Sequence, residues 1–234
     1  MDLSFILPVI NERENLLSLI PGLDSFAARE RLSHEVIVVD GASTDGTAEA
    51  ATRLGAVVFP EDRRGYAGAL TTGFARARGD YIVTLDADLS HEPDFVAALW
   101  REHLNAQVVI ASRYVKGGHS HGGLVRDLLS RILNLTMRAS LRIPIHDLSS
   151  GFRLYRRDVV AGLKLESRNF EVLEEILVLA WLRGFKIVEV PFTYMPRGAG
   201  NSHARIIRFG IDLANTTIRL RRLVREHRRR GASV

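Results

Sequence analysis

The 234-residue chain contains no cysteine. Disulfide bridges, cysteine-ligated zinc or iron–sulfur sites and thiol catalysis are therefore excluded. Long apolar runs are also missing, because the longest stretch without Asp, Glu, Lys or Arg, residues 65–75, has only 11 residues. A membrane-spanning helix needs about 20 apolar residues, so none is expected. No basic stretch precedes the first apolar run, so we expect no signal peptide and a cytoplasmic protein.

The net charge of +5 is unevenly distributed. Residues 205–230 contain nine arginines and two acids, a net charge of +7, so the rest of the chain carries −2. Apolar residues alternate with these arginines, which is typical of an amphipathic helix that lies on an anionic membrane surface. A solvated or oligomer-packing helix is the alternative. Nucleic acid is not an expected partner, because no aromatic residues or known reading motif accompany the arginines.

Hydrophobic residues make up 46% of the chain and charged residues 25%, as in a globular protein. Short apolar runs alternate with segments of helical spacing through the first half. The predicted strands are 3–10, 35–39, 56–59, 81–85 and 108–111, and the predicted helices are 12–28, 44–54, 65–78 and 93–104. This alternation predicts an α/β fold with a doubly wound, Rossmann-like, mostly parallel central sheet flanked by helices.

The alternation stops after residue 112. The segment 116–123 predicts a flexible loop, 124–142 and 168–183 predict helices, 186–190 predicts a strand, and a basic helix is expected from residue 201. We therefore divide the chain into a catalytic domain at 1–203 and an amphipathic C-terminal helix at 204–234. That helix belongs either to the same domain or to a peripheral membrane appendage.

Acidic residues stand where two predicted strands end. Asp86 and Asp88 follow the fourth strand, and two carboxylates at that point can turn toward one Mg²⁺ or Mn²⁺. Two surface aspartates in a turn are the alternative. Asp40 ends the second strand, where it can accept a hydrogen bond from a base or a ribose hydroxyl. Asp45 either contributes there or only caps the next helix, for which Ser43 and Thr44 are further capping candidates.

Segments at the ends of three predicted strands carry a family resemblance: PVINE at 8–12, VVDGASTDGT at 38–47 and LDADLSH at 85–91. In this order they resemble the motifs of family 2 glycosyltransferases, which have the GT-A fold. Three later segments are similar to the polyprenyl-phosphate glycosyltransferases, among them the dolichyl-phosphate mannosyltransferases. These are SRY at 112–114, DLSSGFR at 147–153 and the spaced pattern from Val190 through Arg197 to Ser202.

Three departures from the family pattern concern single residues. Gly41 stands where a second aspartate is usual, and Ser90 stands where some relatives have a glutamine that binds metal. The family's Phe-Gln-x-Glu segment is matched only loosely at 170–176. We align its glutamate with Glu175, and Glu171 and Glu174 remain alternatives.

The resemblance implies an inverting transfer of a sugar, with mannose favoured, from a nucleotide diphosphate sugar to a polyprenyl monophosphate. GDP-mannose is the favoured donor and UDP-glucose the alternative. The resemblance also implies a membrane surface or a membrane-anchoring protein as partner, at the cytoplasmic face. The competing interpretations are a transferase with a soluble or saccharide acceptor, a nucleotidyltransferase and a non-catalytic membrane adaptor.

The resemblance assigns site residues in four groups. The residues expected to bind the nucleotide sugar are Pro8, Asn11, Glu12, Asp40, Asp45, Gly65, Asp86 and Ala87. Those expected to hold Mg²⁺ or Mn²⁺ are Asp86, Asp88 and Ser90. Those expected to bind the acceptor phosphate are Arg126, Ser130 and Ser202. Those expected to take part in catalysis are Asp88, Arg113, Arg126 and Arg197.

The chemistry of the transfer makes these assignments reasonable. The leaving diphosphate gains negative charge, which a divalent cation and arginines stabilise. The acceptor phosphate has a second pKa of about 6, so it is already anionic near neutrality and needs no strong base. Arg126, Ser130 and Asn134 are four residues apart and share one helix face, which could hold this phosphate while the opposite apolar face meets lipid.

Overall fold

The computed structural model describes residues 1–195 and 206–231, with the side chains of 124–126, 206–211, 230 and 231 outside that description. Within this part of the chain, nine strands form one large and one small sheet. They are β1 (Leu3–Val9), β2 (His34–Asp40), β3 (Val57–Pro60), β4 (Tyr81–Thr84), β5 (Val108–Ser112), β6 (His119–Ser120), β7 (Arg153–Arg156), β8 (Ile187–Pro191) and β9 (Thr193–Tyr194). The large sheet has the order β3-β2-β1-β4-β7-β5-β8, and β6 pairs with β9.

Eight helices surround the large sheet in the described residues. They are α1 (Arg13–Glu30), α2 (Thr47–Arg53), α3 (Tyr66–Arg76), α4 (Val96–Arg101), α5 (Leu124–Leu141), α6 (Arg157–Val160), α7 (Val172–Leu182) and α8 (Ile206–Gly231). The predicted helix at 93–104 is a 3₁₀ turn, Pro93–Phe95, followed by α4. The predicted α/β fold with a mostly parallel sheet is confirmed, with element ends shifted by a few residues.

Two hydrophobic clusters cover the two faces of the sheet. Alternate residues of a strand point to opposite faces, so Ile6 lies in one cluster, whereas Phe5 and Leu7 lie in the other. Helices α1 and α4 pack on the face that contains Phe5, and α3, α5, α7 and α8 pack on the face that contains Ile6. Burial of both faces explains why the strands are continuous apolar runs.

Strand β7 was missed by the sequence analysis. It lies inside the sheet, antiparallel to both β4 and β5, and Leu154 pairs with Val83 on one side and Val109 on the other. The strand begins and ends with arginine, which conceals it among buried strands. Arg153 is nonetheless completely buried, because its guanidinium donates to the carbonyl oxygens of Leu148 (2.6 Å) and Leu173 (2.7 Å).

Two further predictions about local structure were wrong. The segment 116–123 is not simply a flexible loop, since it contains β6, whose His119 pairs with Thr193. Helix α2 begins at Thr47, so Ser43 and Thr44 do not cap it. The Ser43 hydroxyl donates to Asp40 instead, at 2.5 Å.

The C-terminal helix α8 packs onto the rest of the chain. Leu213, Leu220 and Val224 are buried in the same cluster as α5 and α7. Arg219 donates to Glu175 Oε1 at 2.7 Å, and Arg228 donates to the Arg142 carbonyl oxygen at 2.8 Å, near the end of α5. This part of the apolar stripe, which the sequence suggested for membrane contact, therefore lies inside the protein. Among the described helices, none is both long enough and apolar enough to cross a bilayer.

Candidate active site

The candidate site lies at one edge of the large sheet. Strands β1, β2 and β4 are parallel, so their carboxyl ends share this edge and bring the loops after Val9, Asp40 and Thr84 together. Helix α3 runs from β3 back to β4, so its N-terminus faces the same edge. Gly65, just before α3, has φ +105°, and a Cβ there would lie 2.6 Å from the Arg168 carbonyl oxygen.

The loops after β1 and β2 are joined by hydrogen bonds between the predicted donor-binding residues and their neighbours. The Asn11 backbone N–H donates to the Ser43 hydroxyl, and Asn11 Oδ1 accepts from the Thr44 N–H, both at 2.8 Å. The Glu12 N–H donates to the Thr47 hydroxyl at 3.0 Å. These residues thus build a connected rim at the expected edge.

The residues predicted to bind the nucleotide sugar differ in the contacts that their side chains make. Asp45 accepts from the N–H groups of Arg13 (3.2 Å) and Thr47 (3.0 Å). Burial alone would raise the pKa of Asp45, but hydrogen bonds from Thr47 and from the Arg13 backbone lower it. This favours the interpretation of Asp45 as an organiser of the loop. Pro8 lies within β1, and the Ala87 side chain is buried in a hydrophobic cluster.

Asp86 lies between a tyrosine and a histidine that the sequence analysis did not assign. The Tyr66 hydroxyl donates to Asp86 Oδ1 at 3.1 Å, and His91 Nε2 lies 4.0 Å from Oδ2. Burial and the neighbouring Asp86 charge raise the pKa of Tyr66 well above its usual value, so its hydroxyl remains a donor. Tyr66 stands at the start of a helix, 20 residues before Asp86 in the chain. Its contact with Asp86 could therefore not be predicted from a single sequence.

His91 fixes the loop that carries the two aspartates. Its Nδ1 accepts from the Asp86 N–H at 2.9 Å, and its ring stacks on Phe152 with centroids 4.8 Å apart. Burial lowers the pKa of His91, although the charges of Asp86 and Asp88 oppose this effect. His91 is therefore a neutral packing residue near neutral pH, and its place in the LDADLSH segment was the signal that could have drawn attention to it.

Asp88 and Ser90 are both buried and bonded to each other. Asp88 Oδ1 accepts from the Ser90 N–H (3.0 Å) and the Ser90 hydroxyl (2.5 Å), which directs the hydroxyl proton of this predicted metal ligand toward Asp88. No group of three or more His, Asp or Glu side chains that could hold a metal is found in the described residues. Two carboxylates nevertheless fit Mg²⁺ or Mn²⁺, which usually complete their shell with water and phosphate oxygens.

Arg113 is held in a buried ion pair beyond the end of β5. Its Nε and Nη2 donate to the two carboxylate oxygens of Asp147, each at 2.8 Å, and Nη2 also donates to the Ser149 hydroxyl at 2.8 Å. Burial opposes ionisation of both groups, but their pairing lowers the pKa of Asp147 and raises that of Arg113. These bonds engage both Nε and Nη2 of Arg113.

Helix α5 turns polar side chains toward this ion pair. The Tyr114 hydroxyl donates to the Ser130 hydroxyl at 2.6 Å, and Asn134 Nδ2 donates to the Ser149 hydroxyl at 3.0 Å. Ser130 and Asn134 therefore share a face, as their spacing predicts. The Arg126 side chain, Arg197 and Ser202 lie outside the described residues, so their roles stay predictions.

The glutamates of the 170–176 segment have different surroundings. Glu175 accepts from the Glu166 and Ser167 N–H groups (3.1 and 2.9 Å) and from Arg219, so it fastens α7 to a loop and to α8. By contrast, Oε2 of Glu171 and of Glu174 are buried without a hydrogen-bond partner in the described structure. Glu175, which we align with the family glutamate, thus holds α7, the preceding loop and α8 together.

The sequence model of Glycosyl transferase family 2 matches residues 4–163. The chain belongs to this family. It is 37% identical over 213 residues to a dolichol-phosphate mannosyltransferase of Pyrococcus furiosus, a match that covers 86% of this chain and 59% of that protein. It is 34% identical over 212 residues to a polyprenol monophosphomannose synthase of Mycolicibacterium smegmatis, covering 84% and 78%. The chain therefore spans 59% of the length of the Pyrococcus furiosus relative.

Solved structures of a Mycobacterium tuberculosis glucosyl-3-phosphoglycerate synthase share the fold of this chain. One, a complex with Mn²⁺, uridine diphosphate and glucosyl-3-phosphoglycerate, has a TM-score of 0.74 at 24% identity and covers 94% of this chain and 79% of its own. Another, with Mg²⁺ and uridine diphosphate, has a TM-score of 0.73 at 23% identity, with 94% and 79% coverage. The GT-A fold expected from the sequence is thereby confirmed.

Proposed function

We propose that this glycosyltransferase moves a hexose, with mannose favoured, from a nucleotide diphosphate sugar to a polyprenyl monophosphate, with inversion at the transferred carbon. The two relatives named for dolichol- and polyprenol-linked mannose transfer support this class of acceptor. The structural observation that carries the proposal is the placement of the carboxylates Asp86 and Asp88 at the sheet edge. The Arg113–Asp147 ion pair and the polar face of α5 accompany them.

The donor is assigned to the side of the site nearest β1, β2 and β4. Asn11, Glu12 and Asp40 form the rim for the nucleoside, and Gly65, just before α3, is assigned to the diphosphate. Asp86 and Asp88 are the residues that would hold Mg²⁺ or Mn²⁺. A bound divalent cation would stabilise the charge that develops on the leaving diphosphate.

The acceptor phosphate is assigned to the side nearest α5. Ser130 and Arg126 on that helix, with Arg113, Arg197 and Ser202, supply the hydroxyl groups and positive charges that a phosphate requires. A neutral sugar hydroxyl as acceptor would need a general base. His91, the histidine beside Asp86, is buried with Nδ1 already accepting a hydrogen bond, and this supports an acceptor that is anionic before it binds.

The outward face of α5 supports an approach from a membrane surface. Its leucine and isoleucine side chains are exposed, namely Leu128, Leu129, Ile132, Leu133 and Leu135. Contiguous exposed apolar residues usually mark a site of lipid or protein contact. We therefore place the protein peripherally on the cytoplasmic leaflet, whose anionic lipids would also attract the exposed arginines of α8, or on a membrane-anchoring partner.

A panel of donors and acceptors tests the proposal. Purified protein is incubated with Mn²⁺ or Mg²⁺, labelled GDP-mannose or UDP-glucose, and either polyprenyl phosphate or a water-soluble phosphate acceptor. We expect label in a lipid that releases its sugar in mild acid, with GDP-mannose as the better donor. Transfer to the soluble acceptor alone would replace the lipid acceptor in the proposal while leaving the family assignment intact.

A further inference from the structure

Tyr66 is held from three sides at the edge of the candidate site. Gly65, with its positive φ, packs against Arg168, and the Ala67 N–H donates to the Arg168 carbonyl oxygen at 3.3 Å. The Tyr66 ring stacks on Phe170, with centroids 4.5 Å apart and an interplanar angle of 24°. The start of α3 and the loop before α7 therefore fix the direction of this ring.

The third side is the backbone of Gly151. A Cβ at this position would lie 2.8 Å from the Tyr66 hydroxyl oxygen and 3.5 Å from Asp86 Oδ1, so only glycine leaves room for this contact. The Gly151 carbonyl oxygen accepts from the Thr84 hydroxyl at 2.8 Å, which holds the backbone in place. The Tyr66 hydroxyl is thus enclosed next to Asp86 and has little freedom to turn elsewhere.

We propose that Tyr66 is a positioning residue that orients the Asp86 carboxylate for the cation–diphosphate complex. The hydroxyl engages Oδ1 at 3.1 Å, and Oδ2 faces His91 at 4.0 Å, so the carboxylate has one defined orientation. Groups that hydrogen-bond to a metal-binding side chain keep it oriented, and their loss typically weakens metal binding about 10- to 100-fold. This inference rests on the proposed function, since it assumes that Asp86 holds the cation.

The stack on Phe170 gives Tyr66 a second connection. Phe170 belongs to the loop before α7, and the neighbouring Ser167 carbonyl oxygen accepts from Arg63 Nη2 at 2.7 Å. The same loop is fastened to α8, because Arg219 donates to Glu175 and the Glu175 carboxylate accepts from the Ser167 N–H. Tyr66 therefore connects the predicted metal ligand with the segment that supports the C-terminal helix.

Binding of Mn²⁺ with a nucleoside diphosphate tests the role of Tyr66 without relying on turnover. The free Mn²⁺ signal in electron paramagnetic resonance gives the dissociation constant for wild type, Tyr66→Phe and Tyr81→Phe. We expect Tyr66→Phe to raise the constant about tenfold. Tyr81→Phe removes a hydroxyl at the opposite end of β4, where the ring packs on Trp100, and should leave the constant unchanged.

Further variants distinguish a loss of Asp86 orientation from a general loosening of the surrounding loops. In an Asp86→Asn background, Tyr66→Phe should add less than about a twofold change, because contacting residues are not additive when one acts through the other. Phe170→Leu should weaken Mn²⁺ binding about threefold, whereas Phe170→Tyr, which retains the stack on Tyr66, should bind as wild type does. Equal binding by wild type and Tyr66→Phe overturns the inference alone. If wild type does not bind Mn²⁺ with the nucleotide, both the inference and the proposed metal site fail.

Discussion

Arg153, Glu171 and Glu174 are buried ionisable residues near the start of α7. Arg153 bridges the carbonyl oxygens of Leu148 and Leu173, so it joins the loop after α5 to the first turn of α7. Glu171 and Glu174 lie in that same region and each leaves one oxygen without a described hydrogen bond. Because burial disfavours the charged form, the pKa of Glu174 is raised to about 8.

The raised pKa of Glu174 predicts a pH dependence of stability. The folded protein retains this proton between pH 4.5 and about 8 whereas the unfolded chain releases it, so stability falls as pH rises through that range. The loss approaches about 1.4 kcal/mol per pH unit. Glu174→Gln should remove this contribution. The free energy of unfolding of the variant, measured by urea denaturation, should therefore increase relative to that of wild type from pH 5 to pH 8.

Glu175→Gln is the matched control for that measurement. Burial opposes its ionisation, but the Arg219 and Ser167 hydrogen bonds lower the pKa of Glu175, so its contribution is already complete above pH 5. This variant should be less stable than wild type by a similar amount at every pH in the range. If the stability of Glu174→Gln changed with pH in parallel with that of wild type, the assignment of the buried proton to Glu174 would be contradicted.

The site residues that the sequence predicts are those whose position depends only on the strand that precedes them. Asp40, Asp86 and Asp88 were predicted because they stand at or just after the end of an apolar run, and the structure places their loops at one edge. Tyr66 and Gly151 were not, because their contacts with Asp86 join segments that are 20 and 65 residues apart. Pairing across such distances requires the fold.

Helix α5 differs from an ordinary surface helix, because it buries Met137 and Leu141 in the core and also exposes a second apolar face. Its inward side includes Ser130 and Asn134, which bond to residues of the candidate site. Its outward side carries the five leucine and isoleucine residues described above, with exposures of 39% to 64%. An ordinary surface helix buries its apolar stripe, so we propose that the outward side of α5 contacts another apolar phase.

Substitution on that face tests the membrane contact. The triple variant Leu128→Gln, Ile132→Gln and Leu135→Gln should fold with stability within about 1.5 kcal/mol of wild type, because exposed positions contribute little. Its binding to vesicles of anionic lipid should fall at least about tenfold, measured by sedimentation. Leu104→Gln, at a position 80% exposed outside α5, should bind as wild type does. Unchanged binding of the triple variant would remove α5 from the membrane contact.

The elements that the sequence did not predict are those that depend on distant partners. The charged ends of β7 are explained only by the bonds of Arg153 and by an ion pair of Arg156 with Asp158. Strand β6 is two residues long and exists through its pairing with β9. In contrast, the parallel strands and their helices carry their burial pattern within each segment, so they were predicted.

At the scale of the whole molecule, the uneven charge has two explanations. The body of the chain carries −2 and presents acidic residues at the sheet edge, whereas residues 205–230 carry +7. Part of that positive charge serves packing, since Arg219 binds Glu175 and Arg228 binds the end of α5. Arg221, Arg222 and Arg225 remain exposed, and each could contribute about 1 kcal/mol near an anionic surface.

The most direct test of the central claim is the destination of labelled mannose. Purified wild type and Asp86→Asn receive labelled GDP-mannose, Mn²⁺ and polyprenyl phosphate in vesicles, and the products are separated between organic and aqueous phases. We expect wild type to form organic-phase label that mild acid releases, and Asp86→Asn to form at least about 100-fold less. Label found only in water-soluble products, or equal lipid labelling by both proteins, would contradict it.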